Sequence, residues 1–187
     1  MIKILYLILF FSTWEKISEY YLNNVKTIYA EFTEILISDG DAREFEGMLW
    51  ASKEGYLRFS ITKPDSQILF VRKNKIFIYD YEEKEESEIF SSPYLPDFFL
   101  FNFENLYNLK EEKIKADTSI FIFERKDSSL VYDTIEVFIE PDNNKPYKLN
   151  IISTDLFVKY VMIFKNFVIN PVISKDIFYK VQIHKRR

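Results

Sequence analysis

The chain has 187 residues, of which 48% are hydrophobic and 18% aromatic, enough for one domain with a large core. Its formal charge of -4 and pI near 5.2 do not suit a surface that tracks phosphates, so nucleic acid is not an expected partner. Cysteine is absent and glycine occurs only 3 times, which excludes disulfides, thiol catalysis, sulfur-ligated zinc, an acylated cysteine anchor and glycine-rich phosphate loops.

Met1-Ile2-Lys3 precedes an unbroken apolar run from Ile4 to Phe11. That run has the length of a signal-peptide core and is too short to span a bilayer as a helix. Residues 1–13 therefore read as a signal peptide or apolar leader, and residues 14–187 as a single domain. From Trp14 to Phe32 the pattern is helical: Ile17, Tyr20, Tyr21, Val25 and Ile28 recur at spacings of three and four, while Glu15, Lys16, Glu19 and Lys26 fall elsewhere on the wheel.

After Phe32 the period changes to two, and Ser38-Asp39-Gly40-Asp41 makes a turn. In the next strand Phe45, Gly47, Leu49, Ala51 and Lys53 share one face, with Glu46, Met48, Trp50 and Ser52 on the other. Beyond the Glu54-Gly55 turn, Leu57, Phe59 and Ile61 face one way, against Arg58, Ser60 and Thr62. Leu49, Ala51, Leu57, Phe59 and Ile61 are expected on the concave interior, and Met48 and Trp50 on the convex side. Ile68 to Val71 and Ile76 to Tyr79 are apolar on both faces, which predicts strands covered on both sides. The acidic run Glu82 to Glu88 reads as solvated.

Between Ser92 and Leu109 the character changes. Pro96-Asp97 suits a helix start, and Phe99, Phe103 and Leu106 follow at helical spacing. Hairpin patterns return at Ser119 to Glu124, Thr134 to Glu140, Tyr147 to Ile152, Val158 to Phe167 and Ile177 to Ile183. The order is one helix, about five strands, one or two short helices and about five more strands. Short turns between strands predict a mainly antiparallel sheet.

No catalytic constellation stands out. The single histidine, His184, lies in a Lys/Arg-rich tail and reads as a solvated surface group. The acidic run lacks the spacing of a calcium loop, so neither a metal nor a cofactor is expected. The supply of large apolar side chains fits either a filled core or a sheltered concavity. The apolar insert around Phe98 to Leu106 favours the concavity, because a helix can cover a curved sheet without filling it. Lys53 is the one charge on an otherwise apolar face. It either snorkels to water or donates to carbonyls at the end of a covering helix.

The stretch Glu46-Gly47-Met48-Leu49-Trp50-Ala51-Ser52-Lys53-Glu54-Gly55-Tyr56-Leu57-Arg58-Phe59 resembles the G-x-L/V-W-x-K-R-P-x-x-F-R-W segment of the LolA family, periplasmic carriers of lipoproteins to the outer membrane. In register with it, Pro64 to Leu69 is similar to the family's proline turn, and Lys75-Ile76-Phe77-Ile78-Tyr79-Asp80 to its K-x-hydrophobic-W-x-Y-D/N. Ile28 to Thr33 resembles the family's helix end, and Phe167-Val168-Ile169-Asn170 and Ile177-Phe178 its closing motifs. The family arginine falls on Lys53, the following proline on Glu54, and the C-terminal P-P-G is replaced by Lys180-Val181-Gln182.

The resemblance implies a mainly β (α+β) fold: a curved antiparallel sheet forming an incomplete barrel, with an N-terminal helix and short inserted helices over its concave apolar face. It implies a monomeric, non-enzymatic periplasmic carrier of lipoprotein acyl chains. Its donor would be an inner-membrane lipoprotein-releasing complex and its acceptor an outer-membrane lipoprotein receptor. The ligand wall would be Leu49, Ala51, Leu57, Phe59, Ile61, Phe99 and Phe103, with Lys53 as the latch of the cover. The alternative is an interaction or regulatory domain on the same scaffold, with a filled core, acting through its surface.

Overall fold

The computed structural model describes residues 13–72, 75–81, 84–91, 99, 104–115, 118–128, 130–140, 142–179 and 181. Residues 1–12 of the leader, Phe103 and His184 lie outside the described residues, as does most of the apolar insert. One helix, α1 (Thr13–Asn24), precedes eleven strands. These are β1 (Thr27–Ser38), β2 (Asp41–Ser52), β3 (Tyr56–Lys63), β4 (Gln67–Arg72), β5 (Lys75–Asp80) and β6 (Glu85–Ser91). They continue as β7 (Tyr107–Lys115), β8 (Thr118–Arg125), β9 (Thr134–Glu140), β10 (Lys145–Ser153) and β11 (Val158–Ile169). A 3-10 helix, Lys175–Phe178, follows.

All eleven strands form one antiparallel sheet in the order β6-β5-β4-β3-β2-β1-β11-β10-β9-β8-β7. The sheet does not close: β6 and β7 are its two edges, so the barrel is incomplete. Consecutive strands pair as antiparallel neighbours except β6 and β7, which the insert joins across the opening. Between β1 and β2, Asp39 and Gly40 take φ of 52° and 87°, the pair of left-handed residues that a two-residue hairpin turn needs.

Two expectations need correction. The helix ends at Asn24 rather than Phe32. Val25 and Ile28 continue the spacing begun by Ile17 and Tyr21, but from Thr27 the burial alternates, with Ile28, Ala30 and Phe32 turned inward along β1. The β-branched and aromatic residues here pair with both β2 and β11, and that pairing overrides the helical spacing. At the other end, Ile177 lies in the 3-10 helix and not in a strand. Ser174 caps that turn, its hydroxyl accepting from the Asp176 amide.

The main core lies on the concave face. It joins Trp14, Ile17 and Tyr21 of α1 to Leu49, Ala51, Leu57, Phe121, Phe123, Ile135 and Val137 of the sheet. On the convex face Ile68 and Phe70 are fully buried and Phe178 nearly so. The expectation of double coverage for β4 is therefore met by the chain beyond β11, which crosses the outside of the sheet.

Candidate functional site

The inner wall is built by alternation. Gly47, Leu49 and Ala51 of β2 stand in register with Ile61, Phe59 and Leu57 of β3, so these side chains share one face. Leu49, Ala51 and Leu57 are buried in the concave core, and Phe59 is half-buried against it. The Phe59 ring meets Phe32 edge-on at 5.7 Å and Phe99 at 4.7 Å between centroids. Phe99 is the described helical residue of the insert, and it is buried on this wall. Ile61 lies nearer the open end, where it lines a cavity of about 680 Å³ with Phe45, Pro64, Gln67, Asp80 and Tyr81. Met48 and Trp50 point to the convex side, where Trp50 packs on Tyr29 at 5.4 Å.

Helix α1 lies across the other half of the wall. Trp14 contacts Phe123 edge-on at 4.7 Å and Phe121 at 5.1 Å. The Tyr21 hydroxyl donates to the Asn144 carbonyl at 3.0 Å. The end of α1 is held at two points. Lys53 Nζ donates to the Leu22 carbonyl, one of the last carbonyls of α1, where a cation also complements the helix dipole. Asn170 accepts from the Lys26 amide at 2.7 Å and donates to the Asn24 carbonyl at 2.8 Å. Lys53 is itself exposed, so its ammonium stays hydrated while it holds the helix.

On the convex face two of the residues placed opposite Leu57, Phe59 and Ile61 are covered. Arg58 is 2% exposed and Ser60 is buried. Trp50, Arg58, Phe70 and Phe77 stand in register across β2 to β5. The Arg58 guanidinium carbon is 5.4 Å from the Trp50 ring and 5.3 Å from Phe70. Arg58 donates to the Ile177 carbonyl at 2.7 Å, and Arg72 to the Phe178 carbonyl at 2.7 Å. Arg72 also holds Glu86 through two hydrogen bonds. Burial presses the Arg58 pKa down from its ordinary value. Period-two patterning puts Arg58 on the face opposite Leu57 and Phe59 and cannot show that a later segment covers it. The apolar character of both faces of β4 was the available signal.

No group of three or more metal-ligating side chains occurs among the described residues. No helix among them is long and apolar enough to cross a membrane.

Residues 23–180 match the family described as outer membrane lipoprotein carrier protein LolA. The chain belongs to the LolA family. A comparison with curated proteins found no match. Several solved structures share the fold. An uncharacterized conserved protein from Thermus thermophilus superposes with a TM-score of 0.59 at 9% identity, covering 92% of this chain and 96% of its own. A putative outer membrane lipoprotein-sorting protein domain from Vibrio parahaemolyticus gives 0.53 at 10% identity, covering 88% and 95%. The lipoprotein LppX of Mycobacterium tuberculosis gives 0.51 at 11% identity, covering 85% and 94%. The matched family is described as one of carrier proteins. At these identities the LolA-like neighbours carry the fold alone.

Proposed function

We propose that this LolA-family chain is a monomeric periplasmic carrier that shelters the acyl chains of lipoproteins against its concave wall. It would collect them from an inner-membrane lipoprotein-releasing complex and deliver them to an outer-membrane receptor. One observation carries this reading. The concave face of an open sheet, walled by Leu49, Leu57, Phe59 and Phe99, is covered on its α1 side by a helix instead of a second sheet. A helix tied at its end by Lys53 and Asn170 can shift as a unit while every strand pairing survives.

Acyl chains gain about 0.8 kcal/mol for each methylene they bury, so a few methylenes offset the loss of one hydrogen bond at the cover. Phe103 would complete the wall from the insert. Lys53 would act as the latch in the place of the family arginine.

The filled-core reading has one observation in its favour: Trp14, Ile17 and Tyr21 of α1 are already buried on the wall. Mass spectrometry of protein purified natively from its own periplasm separates the two. Bound acyl lipid in stoichiometric amount is the expected result. Lipid-free protein that also fails to bind an apolar fluorescent probe would overturn the carrier reading in favour of a surface-acting domain.

A further inference from the structure

Three carboxylates among the described residues bear on the inward face: Asp80, in register with Gln67 and Ile61 at the open-end cavity, Glu112, which accepts from the Thr13 amide at the start of α1, and Glu34. Glu34 of β1 lies between Phe32 and Leu36 on the inward face, in register with Phe45 of β2 on one side and Met162 of β11 on the other. Phe45 lines the cavity of about 680 Å³ at the open end. One step toward that end, Leu36 pairs with Tyr160 of β11 and with the exposed Arg43 of β2. Tyr132, from the β8–β9 connection, meets Tyr160 edge-on at 6.0 Å between centroids, and their hydroxyls are hydrogen-bonded. The charge of Glu34 acts on both phenols. Among the described residues no lysine or arginine pairs with Glu34, although burial raises its pKa. The cluster lies toward the end of the barrel opposite Lys53, since β1 runs from the end of α1 to the open turn at Ser38.

Glu34 is half-buried, and filling the concavity with acyl chain would strip its remaining water, which is costly for a carboxylate without a cation. We propose that Glu34, with the hydroxyls of Tyr160 and Tyr132, anchors the polar end of the ligand, and that this end carries an ammonium or a cluster of N–H donors. The anchor rests on the concavity reading above and specifies its ligand: an acyl amphiphile with a cationic or N–H-rich head is selected, and an anionic head is repelled by the same carboxylate. Such a head can come from an aminophospholipid or from the N-terminus of an acylated polypeptide.

The test is displacement of N-phenyl-1-naphthylamine from the full chain by dodecylamine, dodecanoic acid and dodecanol at neutral pH. The wild type is expected to prefer the amine over the acid by about tenfold, the scale of one charged hydrogen bond. Glu34→Gln should bring amine and acid to within about twofold and leave dodecanol unchanged. If Glu34→Gln unfolds, Tyr160→Phe replaces it, with a reduced preference expected. A second arm uses lysophosphatidylethanolamine and a diacylated dipeptide with a free amine. Loss of competition by either in Glu34→Gln supports the anchor and identifies the source of the head. An amine preference that is absent, or unchanged in the variants, overturns the anchor while dodecanol binding keeps the concavity reading intact. Failure of the probe and of dodecanol to bind any variant overturns both.

Discussion

Lys53 Nζ and the Leu22 carbonyl join the β2–β3 turn to the last turn of α1. The bond is exposed, so its net contribution is that of an ordinary hydrogen bond, about 1 kcal/mol, below the range for buried charged ones. Replacing Lys53 with Leu removes it without adding a charge. The expected result is acyl-probe affinity raised about fivefold, chiefly through slower release, with little loss of thermal stability. Stopped-flow release of a fluorescent fatty-acid analogue measures this. Equal release rates would take Lys53 out of the latch.

The strap beyond β11 is held by the buried Arg58 and the half-buried Arg72. Arg58→Met keeps the volume between Trp50 and Phe70 but leaves the Ile177 carbonyl without its donor. A loss of about 1.5–3 kcal/mol in unfolding free energy is expected. Hydrogen exchange should quicken in residues 174–179 and stay protected in β1. Uniform protection across both segments would show that the strap is held without Arg58.

Gly47 has no room for a side chain. A Cβ there would lie 2.5 Å from the Ser60 carbonyl oxygen and 2.8 Å from the Phe32 ring. Gly47→Ala must therefore push β3 away from β2 or turn Phe32 out of the core. The expected cost is about 1–3 kcal/mol, visible in urea denaturation. A change below about 0.5 kcal/mol would mean that Phe32 yields freely.

Burial holds several phenols neutral. Tyr107 and Tyr132 are pushed up to about 12, and Tyr21 is raised further. In the unfolded chain these groups ionise near 10. Stability is then unchanged by them below pH 10 and falls as the pH rises from 10 through 12, because only the unfolded state releases their protons in that window. Absorbance titration should show a late tyrosine fraction that appears together with loss of the β-sheet circular dichroism signal.

Much of the wall was legible in the sequence. Gly47, Leu49 and Ala51 alternate cleanly because one face of β2 meets the core and the other meets the strap. For Lys53 the pattern leaves two places, water or the carbonyl end of a covering helix, and the structure shows an exposed lysine that donates to the Leu22 carbonyl. The limit of α1 was not readable, because Ile17, Tyr21, Val25 and Ile28 keep helical spacing across a boundary set by pairing with β2 and β11. The inward place of Glu34 is not legible in the sequence for a related reason. In a strand where both faces carry apolar residues, alternation does not tell which face a single carboxylate occupies until the register with Phe45 and Met162 is known.

The strand order has a consequence for how the molecule assembles. Nine of the ten pairings join consecutive strands, and the exception is β1 with β11, which brings Ile28 beside Ile169. Each half can therefore form as a meander by short-range closures with little entropy at stake. The β1–β11 seam forms only when the far end of the chain is present. Until then β1 offers a long free edge bearing Ile28, Phe32, Ile35 and Leu36. A nascent chain arrested before β11 would thus display its stickiest strand, which makes this seam the point of greatest exposure to misassembly and the natural place for a chaperone to grip.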